Sequence, residues 1–371
     1  MRPIRLVGLA VVATLIVDAV AGGAAGSVAR QSEFGSVSCT SVRSCTAVGF
    51  FLSSGGEHTL AERFNGRSWS IESIPSPGTA PALFGVSCAS RSFCMAVGNG
   101  SRGTIAEEWN GFRWGLSASR SPEPSSALGA VSCPRVGWCM AAGGTDNDRL
   151  PLVELYSGGA WTVQQVAAPA GTSSIDLDAI SCSSEAACLA VGSGEVHGRN
   201  VAVAERYANG AWANVPLEAR GPQPTLTAVS CVASGYCLAV GDATPQGTPE
   251  GPIALAFSST SSRELSPAGG TRAGLYGVDC LAAARCVTVG ATSRGNVDYA
   301  YSEVLDGTRW RSLLLANPGV PDALTGGVWC RTARSCVAAG YYAGQGAQTA
   351  PLSEVLAGAR WRSIPGIAKQ L

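Results

Sequence analysis

A thirteen-residue pattern occurs seven times along the chain at spacings of 45 to 50 residues, and every copy carries two cysteines with five residues between them. The copies read VSCTSVRSCTAVG from Val37, VSCASRSFCMAVG from Val86, VSCPRVGWCMAAG from Val131 and ISCSSEAACLAVG from Ile180. They continue as VSCVASGYCLAVG from Val229, VDCLAAARCVTVG from Val278 and VWCRTARSCVAAG from Val328. A period of this length marks a supersecondary unit whose apolar faces are covered by neighbouring copies rather than by itself. The chain must therefore fold as an array.

All fourteen cysteines belong to the pattern: Cys39 with Cys45, Cys88 with Cys94, Cys133 with Cys139, Cys182 with Cys188, Cys231 with Cys237, Cys280 with Cys286 and Cys330 with Cys336. Because one pair recurs identically in every copy, pairing within each copy is the economical connectivity. A structural zinc site would need two cysteine knuckles or cysteines with histidines, and the chain has only two histidines, His58 and His197. Each short bridge contributes about 2 kcal/mol in the chain-entropy description.

The second half of the unit reads TLAERFNGRSW from Thr59, TIAEEWNGFRW from Thr104, PLVELYSGGAW from Pro151, AYSEVLDGTRW from Ala300 and PLSEVLAGARW from Pro351. Asn65-Gly66, Asn110-Gly111 and Asp306-Gly307 are strong two-residue hairpin signals. Counting outward from Asn65-Gly66 pairs Phe64 with Arg67 and places Glu62 opposite Trp69. The same count places Glu107, Glu154, Glu303 and Glu354 opposite Trp114, Trp161, Trp310 and Trp361. Glu205 and Trp212 keep the spacing, whereas the fifth unit has Leu255 and Ser262 there. Carboxylates repeated around a ring read as structural groups rather than catalytic acids.

Four short strands fit each unit: a ends at the first cysteine, b starts at the second, c runs through the Ala-Glu segment and d holds the tryptophan. The expected fold is all-β, a seven-bladed β-propeller over residues 34–366 with four antiparallel strands and one disulfide per blade. The repeats begin near 34, 83, 128, 177, 226, 275 and 325. No strand is borrowed across the closure in this division, so blades one and seven must close the ring by packing, helped by Arg30–Glu33 or the Ile367 tail.

The Val-Ser-Cys strand, the Cys-x-Ala-Val-Gly strand and the Ala-Glu-aromatic-Asn-Gly-x-x-Trp hairpin resemble the disulfide-paired repeats of propeller proteins secreted by actinobacteria. The resemblance covers nearly all of the chain after its N-terminal segment. The layout is also similar to kelch repeats, although the double glycine those favour after strand b occurs only as Gly143-Gly144. Families of this shape include binding proteins and enzymes, so the resemblance implies the fold without choosing an activity.

Arg2 and Arg5 precede the apolar run Leu6–Val17, and small residues offer cleavage positions at Ala21 and Ala29. This is the plan of a secretory signal peptide over residues 1–29. The run is too short to span a bilayer. The expectation is a secreted, extracellular monomer with no stable membrane insertion after signal cleavage. With 26 basic and 26 acidic side chains the formal net charge is zero, which leaves no electrostatic footprint for nucleic acid.

In a propeller the a-to-b and c-to-d turns share one rim, and here those turns are repetitive. Variation concentrates in the b-to-c loops of the other rim, where binding residues are expected. The candidates are Asp146, Asp148, Glu195, His197, Arg199, Asp242, Arg294 and Asp298. Asp146 and Asp148 could hold calcium but lack the rest of a binding loop, so no metal is expected. His197 beside Glu195 and Arg199 is where an imidazole meets both charge signs. No catalytic residue is assigned, because the chain has no nucleophile elbow, phosphate loop or free thiol. Phe93, Trp138 and Tyr236, each before a second cysteine, are expected to pack against an adjacent bridge, the alternative being that they display rings on the disulfide rim to a sugar or a protein partner. These features point to a binding protein that presents loops to a glycan, a cell-wall polymer or a protein, without a cofactor. The alternative is a glycoside hydrolase or lyase with its site at the mouth of the central channel.

Overall fold

The computed structural model describes residues 31–120, 123–145, 150–217, 223–243, 251–259, 261–269, 272–294, 297–313, 322–343 and 349–365. Residues 1–29, expected to be a signal peptide, and the Ile367 tail lie outside them. Each repeat forms one four-stranded antiparallel sheet, giving seven blades. In the first, β1 (Ser32–Ser41), β2 (Ser44–Ser53), β3 (Gly56–Phe64) and β4 (Trp69–Ile71) pair in chain order. The other six repeat this plan and are described by the same letters, a to d.

Seven disulfides close the a-to-b turns as the recurring spacing implies. Cys39 is bonded to Cys45, Cys88 to Cys94, Cys133 to Cys139, Cys182 to Cys188, Cys231 to Cys237, Cys280 to Cys286 and Cys330 to Cys336. No described cysteine is free. The second cysteine of every pair is buried: Cys45, Cys94, Cys139, Cys188, Cys237, Cys286 and Cys336 each sit in the apolar cluster of a blade junction. The bridges are therefore part of the packing between blades.

Strand b explains why the blades stack. Its residues alternate between the two faces of the sheet, and both faces are buried. Ala47 joins an apolar cluster shared by blades seven and one, whereas Val48 joins the cluster shared by blades one and two. Met95 and Val97 face blade three, and Ala96 faces blade one. Seven such clusters, one at each junction, take the place of a single core.

The glycine that ends each Ala-Val-Gly run has a steric cause. A Cβ at Gly98 would stand 1.9 Å from the Ala82 carbonyl oxygen, and one at Gly192 would stand 2.0 Å from that of Asp176. Opposite each glycine, strand a carries an irregularity in register, between Leu83 and Gly85 in blade two and between Asp176 and Ala179 in blade four. The extra residue bends strand a, and the glycine makes room for the bend.

The serine of each Val-Ser-Cys run joins neighbouring blades. Ser38 Oγ accepts from the Cys88 amide at 2.9 Å, and Ser87, Ser132, Ser181 and Ser230 accept from the amides of Cys133, Cys182, Cys231 and Cys280 at 2.9–3.0 Å. Asp279 continues the series with a 2.6 Å bond from the Cys330 amide. At the closing junction the place is taken by Trp329, whose indole has a donor and no acceptor. That junction is tied elsewhere. Phe34 is buried with Val337 and Ala339, Trp69 Nε1 donates to Ser353 Oγ at 2.7 Å, and Gln31 forms a parallel bridge with Thr349.

Two expectations from the sequence are corrected. The first is that the cysteines bound the strands. In six blades strand a runs two residues past its first cysteine, and strand b begins one residue before Cys45, Cys94, Cys139, Cys188, Cys286 and Cys336. Only in blade five do the strands stop at Cys231 and start at Cys237. The physical reason is that the bridged cysteines face each other across the ladder, as Cys39 with Cys45 and Cys182 with Cys188, so pairing continues beyond the bridge into the turn.

The second correction concerns the c-to-d turns, which are centred one residue later than the Asn-Gly count, so Phe64 pairs with Trp69 and Glu62 pairs with Ile71. Asn65 acts through its side chain: Oδ1 accepts from the amides of Arg67 and Ser68 at 2.9 and 3.0 Å, which moves the turn forward. In blades three and four, two-residue turns form at Gly158-Gly159 and Asn209-Gly210, all with positive φ. The aromatics before the second cysteines pack against a bridge, as expected. Phe93 and Trp138 are buried, each in the cluster that holds the disulfide cysteines of the next blade, and Tyr236 packs partly against the next such cluster.

Candidate functional site

The inner strands surround a cavity of about 160 Å³ on the ring axis. Each blade contributes three consecutive residues to it. The valine or isoleucine two places before the first cysteine forms one ring, and small residues such as Gly85, Ala130 and Ala179 form the next. The third ring does not repeat: Gly35, Phe84, Gly129, Asp178, Thr227, Tyr276 and Gly326. These residues sit at the irregularities of strand a, so the device that bends the strand also sets a variable side chain at the channel.

The glycines have a steric role here as well. A Cβ at Gly326 would lie 2.7 Å from the Phe34 carbonyl oxygen of the adjoining blade. Among the four residues with side chains, the Thr227 hydroxyl donates to the Leu275 carbonyl at 2.8 Å across a blade junction. Asp178 is buried, and its Oδ2 has no hydrogen-bond partner. Burial, reinforced by the charges of Asp176 and Asp242, pushes its carboxyl well above the usual range.

The loop candidates are distributed differently. Asp146 and Asp148 lie outside the described residues. Glu195, His197 and Arg199 belong to a hairpin in which strands b and c extend to a two-residue turn at His197-Gly198, with φ of +50° and +76°. Glu195 pairs with Asn200 and Arg199 with Val196, so Glu195 and Arg199 project from opposite faces. His197 is exposed at the tip. The strands therefore separate these three side chains instead of converging them. Asp298 is exposed and accepts from Ser293 Oγ at 2.5 Å. Arg294 ends strand b of blade six opposite Val297, and its side chain lies outside the described residues. Asp242 alone reaches the channel group, as a buried residue whose charge bears on Asp178.

The repeated glutamates are structural. Glu154 accepts from the Arg120 amide at 2.9 Å and from Thr104 Oγ1 at 3.4 Å, holding the segment that leads away from the preceding blade. Glu303 accepts from the Ala268 amide at 3.2 Å and from the Tyr301 hydroxyl. Glu107 has no partner for either oxygen, and burial pushes it up to about 8. Among the described residues no three His, Cys, Asp or Glu side chains come together as metal ligands, and no helix is long and apolar enough to cross a membrane.

Solved structures with this fold include YCF48 bound to D1 peptide, with TM-score 0.55 and 13% identity over 83% of this chain and 88% of the other. YCF48 from Cyanidioschyzon merolae follows with TM-score 0.51 and 12% identity over 91% and 99%, and YjhT with 0.50 and 11% over 78% and 98%. At these identities the likeness is one of fold. No protein family matches the chain, and no curated protein does.

Proposed function

We propose that the protein is an exported binding module that holds a segment of another protein at the channel of the ring. The observation that carries this reading is the division between repeated and unrepeated side chains. Repeated serines, glutamates and glycines join strands and blades, whereas Phe84, Asp178, Thr227 and Tyr276 differ from blade to blade around one cavity. The N-terminal signal pattern and seven disulfides support export to an oxidising compartment. The similar structure of YCF48 bound to D1 peptide supports a peptide over a glycan or cell-wall polymer as the ligand.

A glycoside hydrolase or lyase is the second reading. It is favoured by Asp178, a raised carboxyl with Asp176 and Asp242 near it. One experiment separates the two: the mature oxidised protein is applied to an array of peptides, glycans and cell-wall fragments, with retention and chain cleavage read on the same spots. Retention on peptides without cleavage supports the binding module. Cleavage on any spot, or retention on glycans alone, overturns it.

A further inference from the structure

Asp178 is the place on the channel wall where a carboxyl is left without a complete set of partners. It is 9% exposed, it lines the cavity, and its Oδ2 accepts no hydrogen bond. A buried carboxyl of this kind is costly unless something supplies a donor. Among the described residues no lysine or arginine lines the cavity, and the charges that bear on Asp178 are those of Asp176 and Asp242, all of one sign. The wall also offers the aromatic rings of Phe84 and Tyr276, while the Thr227 hydroxyl is already committed to the Leu275 carbonyl.

We infer that the channel binds an organic cation, a primary ammonium or a guanidinium, with Asp178 as its anchor and Phe84 and Tyr276 beside it. The inference rests on the binding reading above and names the chemistry of that ligand. A cation supplies the donors that Asp178 lacks, and an aromatic ring within reach adds attraction for the same charge. An anion finds no basic side chain on the wall among the described residues. A divalent ion, which requires six or more oxygen ligands, finds no ligand cluster among the described residues. The cavity of about 160 Å³ falls below the roughly 300–1,000 Å³ of ordinary small-molecule pockets, so it suits one side chain or a small amine.

The test uses n-butylammonium and methylguanidinium as probes, with n-butanol as the neutral control, measured by calorimetry on the mature oxidised protein. Asp178→Asn keeps the shape of the site and removes its charge, Phe84→Leu removes one ring, and Asp306→Asn changes an exposed carboxylate outside the channel. The expected result is binding of both cations and not of butanol, weakened about tenfold or more by Asp178→Asn and several-fold by Phe84→Leu. Asp306→Asn should leave it unchanged. Equal binding of butanol, or cation binding indifferent to Asp178→Asn and Phe84→Leu, overturns the inference.

Array peptides containing lysine or arginine, compared with norleucine or citrulline at the same position, distinguish a side chain from a free amine as the source. Peptides retained equally by the wild type and Asp178→Asn would leave the binding module standing and remove the cation site. Asp178-dependent probe binding with no peptide retained would do the reverse, leaving a site for a free amine.

Discussion

Replacing Glu107 by glutamine should stabilise the protein, and by an amount that grows with pH. In blades three and six the equivalent carboxylates accept a backbone amide from the segment between blades, whereas both Glu107 oxygens are without a partner at 0% exposure. Burial raises Glu107 from 4.5 to about 8, so the folded state keeps a proton that the unfolded chain releases. Stability is therefore greatest below the unfolded value and is lost as pH rises from 4.5 through 8. At about 1.4 kcal/mol per pH unit the full loss is on the order of 5 kcal/mol, with about 3 kcal/mol already present at pH 7 and about 1 kcal/mol at pH 5. Glutamine has nearly the same shape and does not titrate. Urea unfolding of Glu107→Gln and the wild type at pH 5, 7 and 9 should show a stability gap that widens in that order. A constant gap, or a variant less stable than the wild type at pH 9, would refute the argument that Glu107 is held neutral by burial.

Ser132→Ala removes the acceptor for the Cys182 amide and should cost about 1–2 kcal/mol, read from urea midpoints. Replacing Cys133 and Cys139 together by serine should cost about 2 kcal/mol by the same assay and leave far-UV circular dichroism unchanged, because the other six bridges remain. Gly143→Ala would bring a Cβ to 2.0 Å from the Ala127 carbonyl oxygen. It should cost about 3 kcal/mol or more and show as a sharp fall in the yield of soluble protein.

Much of the architecture is legible because the unit is written seven times. The cysteine pairs, the apolar strand b and the Ala-Val-Gly ending each state a local requirement, and repetition turns it into a blade count. The c-to-d turns show where this stops, since Asn65 supports two turn geometries and the side-chain bonds to Arg67 and Ser68 select the later one. His197 shows it again. Beside Glu195 and Arg199 it reads as a cluster, but the backbone places it at a positive-φ turn that histidine tolerates better than most residues. Phe93 and Trp138 are legible as residues that pack against a bridge, but only the stacking of blades decides that the bridge is the next blade's.

Local rules in the sequence by itself determined the blade, the disulfides and the need to stack, since hydrogen-bond period, turn chemistry and apolar alternation act over a few residues. Tertiary structure alone decided the channel. Phe84, Asp178, Thr227 and Tyr276 stand in different repeat units, and only ring closure brings their strand irregularities to one axis. The burial that closure imposes on Asp178 is what separates it from an exposed aspartate such as Asp298, because desolvation depends on what surrounds a group in space and not on its neighbours in sequence.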